Sequence, residues 1–311
     1  MVKRITVLLP VYNGERWLPS LLESLRAQTE PDFDVLIQDD GSSDGTPALL
    51  EALGPDARFR FGAESGQRLG AKGNFLSLMR QADAPAVALC DQDDVWLPER
   101  LALGRKALEE AERRLGTDTP VLVHGDCAVT DAEGSILHAS FFRHQGWDPA
   151  ANTLPRLLVQ NNVTGCTVLM NAALCRLAAA HADPARIFMH DWFLALTAAA
   201  FGEIVFLPRP LVRYRQHGGN AVGASPAGLP RRALAALRDR EKARARIALT
   251  YEQAAVFREA YGGALPAEAA RIVDGYLAIR SLPKPARIRA LRKGGYLMQS
   301  RTARMGQLLF G

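Results

Sequence analysis

Val87-Ala88-Leu89-Cys90-Asp91-Gln92-Asp93-Asp94-Val95-Trp96 is a short apolar run that stops at three carboxylates within four residues. The run reads as a buried strand, and carboxylates at the carboxyl end of a parallel strand stand where open α/β sheets bind ligands. At neutral pH such groups repel one another, so a cation belongs among them. Oxygen donors suit a hard divalent ion, Mg²⁺ or Mn²⁺, itself carrying a phosphate-bearing substrate. A helix N-terminus is the competing reading, because Asp94 precedes Trp96-Leu97-Pro98-Glu99 and is placed to cap the next helix. That use takes Asp94 and leaves Asp91 and Asp93 for the ion.

Upstream, Ile5-Thr6-Val7-Leu8-Leu9-Pro10 reads as a first strand that leaves through Val11-Tyr12-Asn13-Gly14. Trp17, Leu18, Leu21, Leu22 and Leu25 recur at helical spacing, which predicts a helix over 16–28. Phe33 to Gln38 is a second strand ending at Asp39-Asp40-Gly41-Ser42-Ser43-Asp44, with Thr46 before Pro47 as the cap of a short helix. A strand over 58–62, a glycine-rich loop over 62–73 and a helix over 74–81 lead back to the strand 86–90. This alternation predicts a doubly wound, mostly parallel sheet flanked by helices. No GxGxxG follows the first strand, so a dinucleotide-binding domain is not expected.

Downstream, a helix over 98–114 precedes a strand at 121–124 and a loop-rich stretch over 125–150. Val163 to Met170 reads as a strand, with Asn171 capping an alanine-rich helix. His190-Asp191-Trp192 opens a helix to Phe201, and 204–207 with 211–214 reads as a hairpin. Ser225 to Pro230 has linker chemistry. The catalytic unit is then expected over 1–224, as halves 1–115 and 116–224, with a basic helical region over 225–311 made of helices at 231–261, 267–281 and 286–304.

At 311 residues, 48% of them hydrophobic and 23% charged, the chain has the composition of a globular protein. The N-terminal apolar run is too short for a signal sequence and no run reaches membrane-spanning length, which predicts a cytoplasmic protein. Cys90, Cys127, Cys166 and Cys175 have no metal-finger spacing, and buried reduced thiols are expected.

Pro10-Val11-Tyr12-Asn13-Gly14, Asp39-Asp40-Gly41-Ser42-Ser43-Asp44 and Asp91-Gln92-Asp93-Asp94 together resemble the signature of family 2 glycosyltransferases with the GT-A fold, over residues 4 to about 222. With Asn161 to Met170, His190-Asp191-Trp192 and Tyr214-Arg215-Gln216-His217-Gly218-Gly219-Asn220, the chain is similar to the bacterial rhamnosyltransferase-type branch. Such enzymes build O-antigen, capsule or other surface polysaccharides, typically from dTDP-rhamnose. The resemblance implies an inverting transfer from a nucleotide-diphospho-sugar of the dTDP or UDP type.

It also implies roles. Asp40, with Asp39 beside it, accepts a hydrogen bond from the pyrimidine N–H, Tyr12 lies against the base, and Pro10, Asn13 and Gln92 complete the donor site. Arg68 and Lys72 reach the diphosphate or belong to a solvated loop. Asp91 and Asp93 hold the divalent ion, with His217 as a further ligand, and Arg213 or Arg215 clamps phosphate. Asp191 is the general base for the acceptor hydroxyl, or caps its helix. Trp192 lines the sugar or acceptor pocket or belongs to the core, and His190 stands where many family members carry an acid.

Residues 275–311 hold eight Lys or Arg and no Asp or Glu. Lys284, Arg287, Arg289, Arg292, Lys293, Arg301 and Arg304 interleave with Ile288, Leu291, Tyr296, Leu297, Met298 and Leu308. Two readings stand: a basic amphipathic surface on an anionic inner leaflet, where a polyprenyl-diphosphate-linked glycan acceptor would be held, or helices packed on the catalytic unit. Nucleic-acid binding is not expected, since the stretch has little aromatic interleaving. A non-catalytic nucleotide-sugar-binding or scaffold protein is the alternative to an enzyme. A nucleotidyltransferase is disfavoured, because Tyr12-Asn13-Gly14-Glu15 is not a lysine-bearing phosphate loop.

Overall fold

A computed structural model describes residues 4–54, 56–63, 66–217 and 240–310. Strands β1 (Ile5–Val11), β2 (Phe33–Asp39), β3 (Phe59–Phe61) and β4 (Ala86–Leu89) pair in parallel, in the order β3-β2-β1-β4. β1, β2 and β4 are buried on both faces, which is why they read as largely apolar runs. Side chains alternate between two cores: Leu8 joins the one on one side of the sheet, and Val7 and Leu9 join the other. Helices α1 (Leu18–Arg26), α2 (Thr46–Glu51) and α3 (Gly70–Gln81) make the crossovers. Because β1, β2 and β4 run the same way in register, the loops after Val11, Asp39 and Leu89 meet at one edge.

Beyond β4 the sheet becomes mixed. β5 (Val95–Trp96) precedes α4 (Arg100–Leu115), and β6 (Val121–Thr130) is buried along its whole length. β7 (Ile136–His138) and the short helix α5 (Phe141–Gln145) occupy the stretch expected to be loop, and the short helix α6 (Leu154–Val159) follows it. Val163 to Met170 is not a strand throughout: a 3₁₀ turn over Gly165–Thr167 interrupts it, and only β8 (Leu169–Asn171) pairs, antiparallel to β4 and β6. Asn171 does cap α7 (Ala172–His181), accepting from the Leu174 N–H at 3.0 Å. α8 (His190–Phe201) begins as the His-Asp-Trp reading placed it.

The expected hairpin over 204–214 is instead a single strand, β9 (Glu203–Arg215), parallel to β6 and antiparallel to β5. Pro208-Arg209-Pro210 mimics a turn in sequence. The register with β6 shifts from Gly125↔Leu207 to Asp126↔Pro210, so these residues form a bulge, where missing N–H groups are tolerated.

The expected linker at 225–230 lies outside the described residues. The C-terminal region continues as α9 (Arg240–Tyr261), α10 (Ala267–Ile279), α11 (Lys284–Lys293) and α12 (Arg301–Phe310), so the helix expected over 286–304 is two helices. Phe257, Val273, Tyr276, Leu291 and Tyr296 are buried in the same core as α3, α7 and α8. Among the described residues no helix is long and apolar enough to cross a membrane. All four cysteines are free and buried.

Candidate active site

A cavity of about 680 Å³ opens at the carboxyl edge of β1, β2 and β4 and extends to α8 and α9. Pro10, Tyr12, Asp40, Arg68, Asp91, Gln92, Asp93, Asp191 and Trp192 all line it, so residues from widely separated loops share one space.

At one end, the Gln92 side-chain amide accepts from the Tyr12 N–H and donates to the Tyr12 carbonyl, both at 2.8 Å. This two-point clamp fixes the β1 loop to the acidic loop. The Arg68 guanidinium lies 3.7 Å from the centre of the Tyr12 ring. Asp40 is buried and accepts from the N–H groups of Leu69 (2.6 Å) and Gly70 (2.7 Å) at the start of α3. Each carboxylate oxygen keeps a further lone pair for a ligand. This long-range cap also explains why α3 begins four residues before the expected helix.

Two residues expected in the donor site stand behind the wall. Asp39 closes a local turn, accepting from the N–H and hydroxyl of Ser42. Asn13, in the left-handed region at φ 48°, accepts from the Ser43 N–H at 2.8 Å and so ties the β1 and β2 loops together. Thr46 does not cap α2; its hydroxyl oxygen accepts from the Gly14 N–H at 2.8 Å.

In the middle, Asp91 and Asp93 face the cavity, and His217 Nε2 lies 2.8 Å from Asp93 Oδ2 while its ring stacks on Trp17. Burial, with the Asp93 and Asp191 carboxylates, pushes the Asp91 carboxyl up to about 7. Such crowding of negative charge is what a divalent cation relieves; carboxylates suit Mg²⁺ or Mn²⁺, and of the two Mn²⁺ more readily accepts an imidazole as well. Asp91, Asp94 and Cys166 also come together closely enough to share an ion. We favour Asp93 and His217 as the partners of Asp91, because Asp94 and Cys166 are fully buried and a thiol is too soft a donor for these ions.

Asp94 is not a helix cap. β5 intervenes between it and α4, whose N-cap residue Glu99 makes no side-chain cap bond. Asp94 Oδ1 instead accepts from the Arg215 N–H at 3.0 Å, and burial holds its carboxyl well above the usual range. The expected phosphate clamps are likewise engaged elsewhere. Arg215 is buried and donates to the carbonyls of Asp93 (2.8 Å) and Ala132 (2.7 Å), so it braces the acidic loop from behind. Arg213 is exposed on β9 and outside the cavity wall, facing a shallow surface pocket with Ser20 and Glu23. Lys72 Nζ donates to the Ile187 carbonyl at 2.8 Å, joining α3 to the segment before α8.

At the far end, Asp191 is the second residue of α8. Burial pushes its carboxyl up to about 6, against the Trp192 and Gly165 N–H groups and the Asn161 side chain, which favour its charged form. Trp192 is both core and wall: it is buried, lines the cavity, and donates from Nε1 to the Leu157 carbonyl at 2.7 Å. His190 stacks on Phe75 with ring centroids 4.2 Å apart, and burial pushes its imidazole down to about 3.

Sequence reasoning assigned no role to Asn161 and Gly165, which hold Asp191, or to Phe188, Arg246, Leu249 and Thr250, which close the far end. Asn161 and Gly165 stood within a quoted motif. Arg246 carried no signal, being one basic residue among many on a long helix.

An uncharacterized protein of Mycobacterium tuberculosis, Rv1520, is 29% identical over 210 residues, which is 66% of this chain and 57% of that protein. The chain thus spans little more than half the length of that relative. The uncharacterized glycosyltransferase alr2836 of Nostoc is 33% identical over 98 residues, 32% of this chain and 30% of its own. Among solved structures, S. aureus TarS 1-349 in complex with UDP superposes with a TM-score of 0.57 at 15% identity, covering 94% of this chain and 80% of that one. Mannosyltransferase PcManGT from Pyrobaculum calidifontis, in complex with GDP-Man and Mn²⁺, gives 0.53 at 15%, covering 98% and 79%. At these identities the structures speak for the fold, which is the GT-A fold. The family model for glycosyl transferase family 2 matches residues 6–170, from the first strand to the second residue of β8, and the chain belongs to that family.

Proposed function

We propose that this protein is an inverting, metal-dependent glycosyltransferase that moves a sugar from a pyrimidine nucleoside diphosphate to a hydroxyl of a surface-polysaccharide acceptor. L-rhamnose from dTDP-rhamnose is the specific donor we assign, on the motif resemblance. The observation that carries the reading is one cavity lined by Tyr12 and Asp40, by Asp91 and Asp93, and by Asp191. Tyr12 offers the base an aromatic face and Asp40 an acceptor for its ring N–H. Asp91, Asp93 and His217 would hold Mg²⁺ or Mn²⁺, which offsets charge on the leaving nucleoside diphosphate. Arg215 and Gln92 position the loop that carries both carboxylates.

Asp191 takes the proton of the acceptor hydroxyl as its oxygen bonds to the anomeric carbon and the bond from that carbon to the phosphate oxygen breaks. A carboxyl raised to about 6 is still largely ionised at neutral pH, yet more basic than an ordinary Asp. Asp191→Asn keeps the shape and removes the base. Transfer should fall on the order of 10³-fold while nucleotide affinity stays within about threefold. Loss of nucleotide binding in this variant would sink the base assignment.

A further inference from the structure

The acceptor end of the cavity is closed by the C-terminal region, through Arg246, Leu249 and Thr250 of α9. These positions share one helical face. The Thr250 hydroxyl is already engaged by the Ile247 carbonyl (2.7 Å) and the Tyr276 hydroxyl (2.6 Å). The Arg246 guanidinium is therefore the polar group that α9 offers the cavity. Two other arginines packed about α9 have carboxylate partners: Arg186 with Glu259 at 2.6 Å and Arg258 with Asp274 at 2.8 Å. Arg246 has no hydrogen bond or ion pair among the described residues. Its side chain is exposed at the mouth, yet crowded enough that desolvation lowers its pKa.

The same cavity is lined by a large aromatic that a folded chain would ordinarily bury. Phe188 is 45% exposed, lines the same end, and is fixed in place by its N–H donating to Gln253 Oε1 of α9 at 2.8 Å. Trp192 stands edge-on to Phe188, with ring centroids 6.1 Å apart, and Leu249 continues the apolar wall. An uncompensated guanidinium beside an open aromatic wall is complementary to an anion carried next to an apolar group.

We infer that Arg246 and Phe188 form an acceptor subsite for an anionic group, phosphate or carboxylate, flanked by apolar surface. The inference rests on the glycosyltransferase reading for the name acceptor, but the site is testable without it. Phenyl phosphate, benzoate, inorganic phosphate and benzyl alcohol are titrated calorimetrically into the full chain, with the nucleotide site filled by UDP or dTDP and Mn²⁺.

Phenyl phosphate or benzoate should bind roughly tenfold tighter than inorganic phosphate or benzyl alcohol, and the better of the two names the anion. Arg246→Gln should remove that advantage with nucleotide affinity unchanged. Phe188→Ser should weaken phenyl phosphate and leave inorganic phosphate as it was. Unaltered phenyl phosphate binding in Arg246→Gln, or inorganic phosphate binding as tightly as phenyl phosphate, overturns the subsite. Failure of every nucleotide to bind overturns the donor reading instead, and the same titrations on nucleotide-free protein still decide the subsite.

Discussion

Two residues separate Asp91, in the cavity wall, from the fully buried Asp94. Sequence showed that the cluster held more charge than a helix cap needs, because three carboxylates in four residues demand compensation. It could not show which carboxylate turned inward, since that depends on the Arg215 N–H, 121 residues away. The same holds for Lys72 and Arg215, whose partners are distant backbone carbonyls. Asp40 and Asp191 were legible as cavity-lining residues because an acid directly after a parallel strand, or at the start of a helix that meets the same edge, stands where that edge opens.

At this scale the pH dependence of stability is set partly by buried histidines. His124 packs against Phe142 and Phe206, with centroids 6.0 and 5.2 Å away, and burial pushes it from 6.5 down to about 3. The unfolded chain therefore takes up this proton first as pH falls. The contribution is complete above about 6.5 and is lost toward pH 3, at about 1.4 kcal/mol per pH unit within that window. Denaturant titrations at pH 7, 6 and 5 should show a shallower loss of stability for His124→Phe than for the wild type. Equal slopes would show that His124 does not remain neutral in the folded state.

Among the elements, β1, β2, β4 and α1 were readable because buried parallel strands and an amphipathic helix impose their periods on the sequence, while α8, buried on nearly every side, was placed by its opening His190-Asp191-Trp192. β9 was misread because Pro208 and Pro210 are turn residues by composition and bulge residues only in register with β6. Val163 to Met170 was misread because its apolar content suits a strand, while the chain must turn at Gly165 to pass His190 and Asp191. A Cβ at Gly165 would lie 3.2 Å from His190 Nε2. The tightest such approach joins α8 to the sheet: at Gly202 a Cβ would fall 1.8 Å from the Pro120 carbonyl oxygen, a backbone atom with little room to move. Gly202→Ala should therefore destabilise the fold by about 3 kcal/mol or more, measured by urea unfolding. A change below about 1 kcal/mol would mean that the end of α8 shifts freely against β6.

For the molecule as a whole, the loops at the carboxyl edge of the parallel strands and the helical C-terminal region meet over one cavity, a union that no motif announced. The C-terminal helices bury one face in the catalytic core, as the packed-helix reading expected, but α12 leaves Met305 (46%) and Leu309 (44%) exposed in a segment rich in arginine and lysine. On that combination we propose contact with an anionic membrane surface. Sedimentation with phosphatidylglycerol vesicles should retain the protein at low salt and release it as salt rises or when Met305 and Leu309 are made Ser. Equal retention on neutral phosphatidylcholine vesicles would exclude the charge component.

The central claim, a metal-assisted pyrimidine-nucleotide donor site linked to an acceptor base, is tested most directly by thermal shift. Wild-type protein and Asp93→Ala are melted with dTDP, UDP and GDP, each with and without Mn²⁺. A ligand that binds only the folded state raises the melting temperature by mass action, about 2.7 kcal/mol of stabilisation at a hundredfold excess over Kd. dTDP or UDP should raise it in the wild type only when Mn²⁺ is present, and Asp93→Ala should lose the response. Preference for GDP, or a nucleotide shift indifferent to both Mn²⁺ and Asp93, would contradict the account.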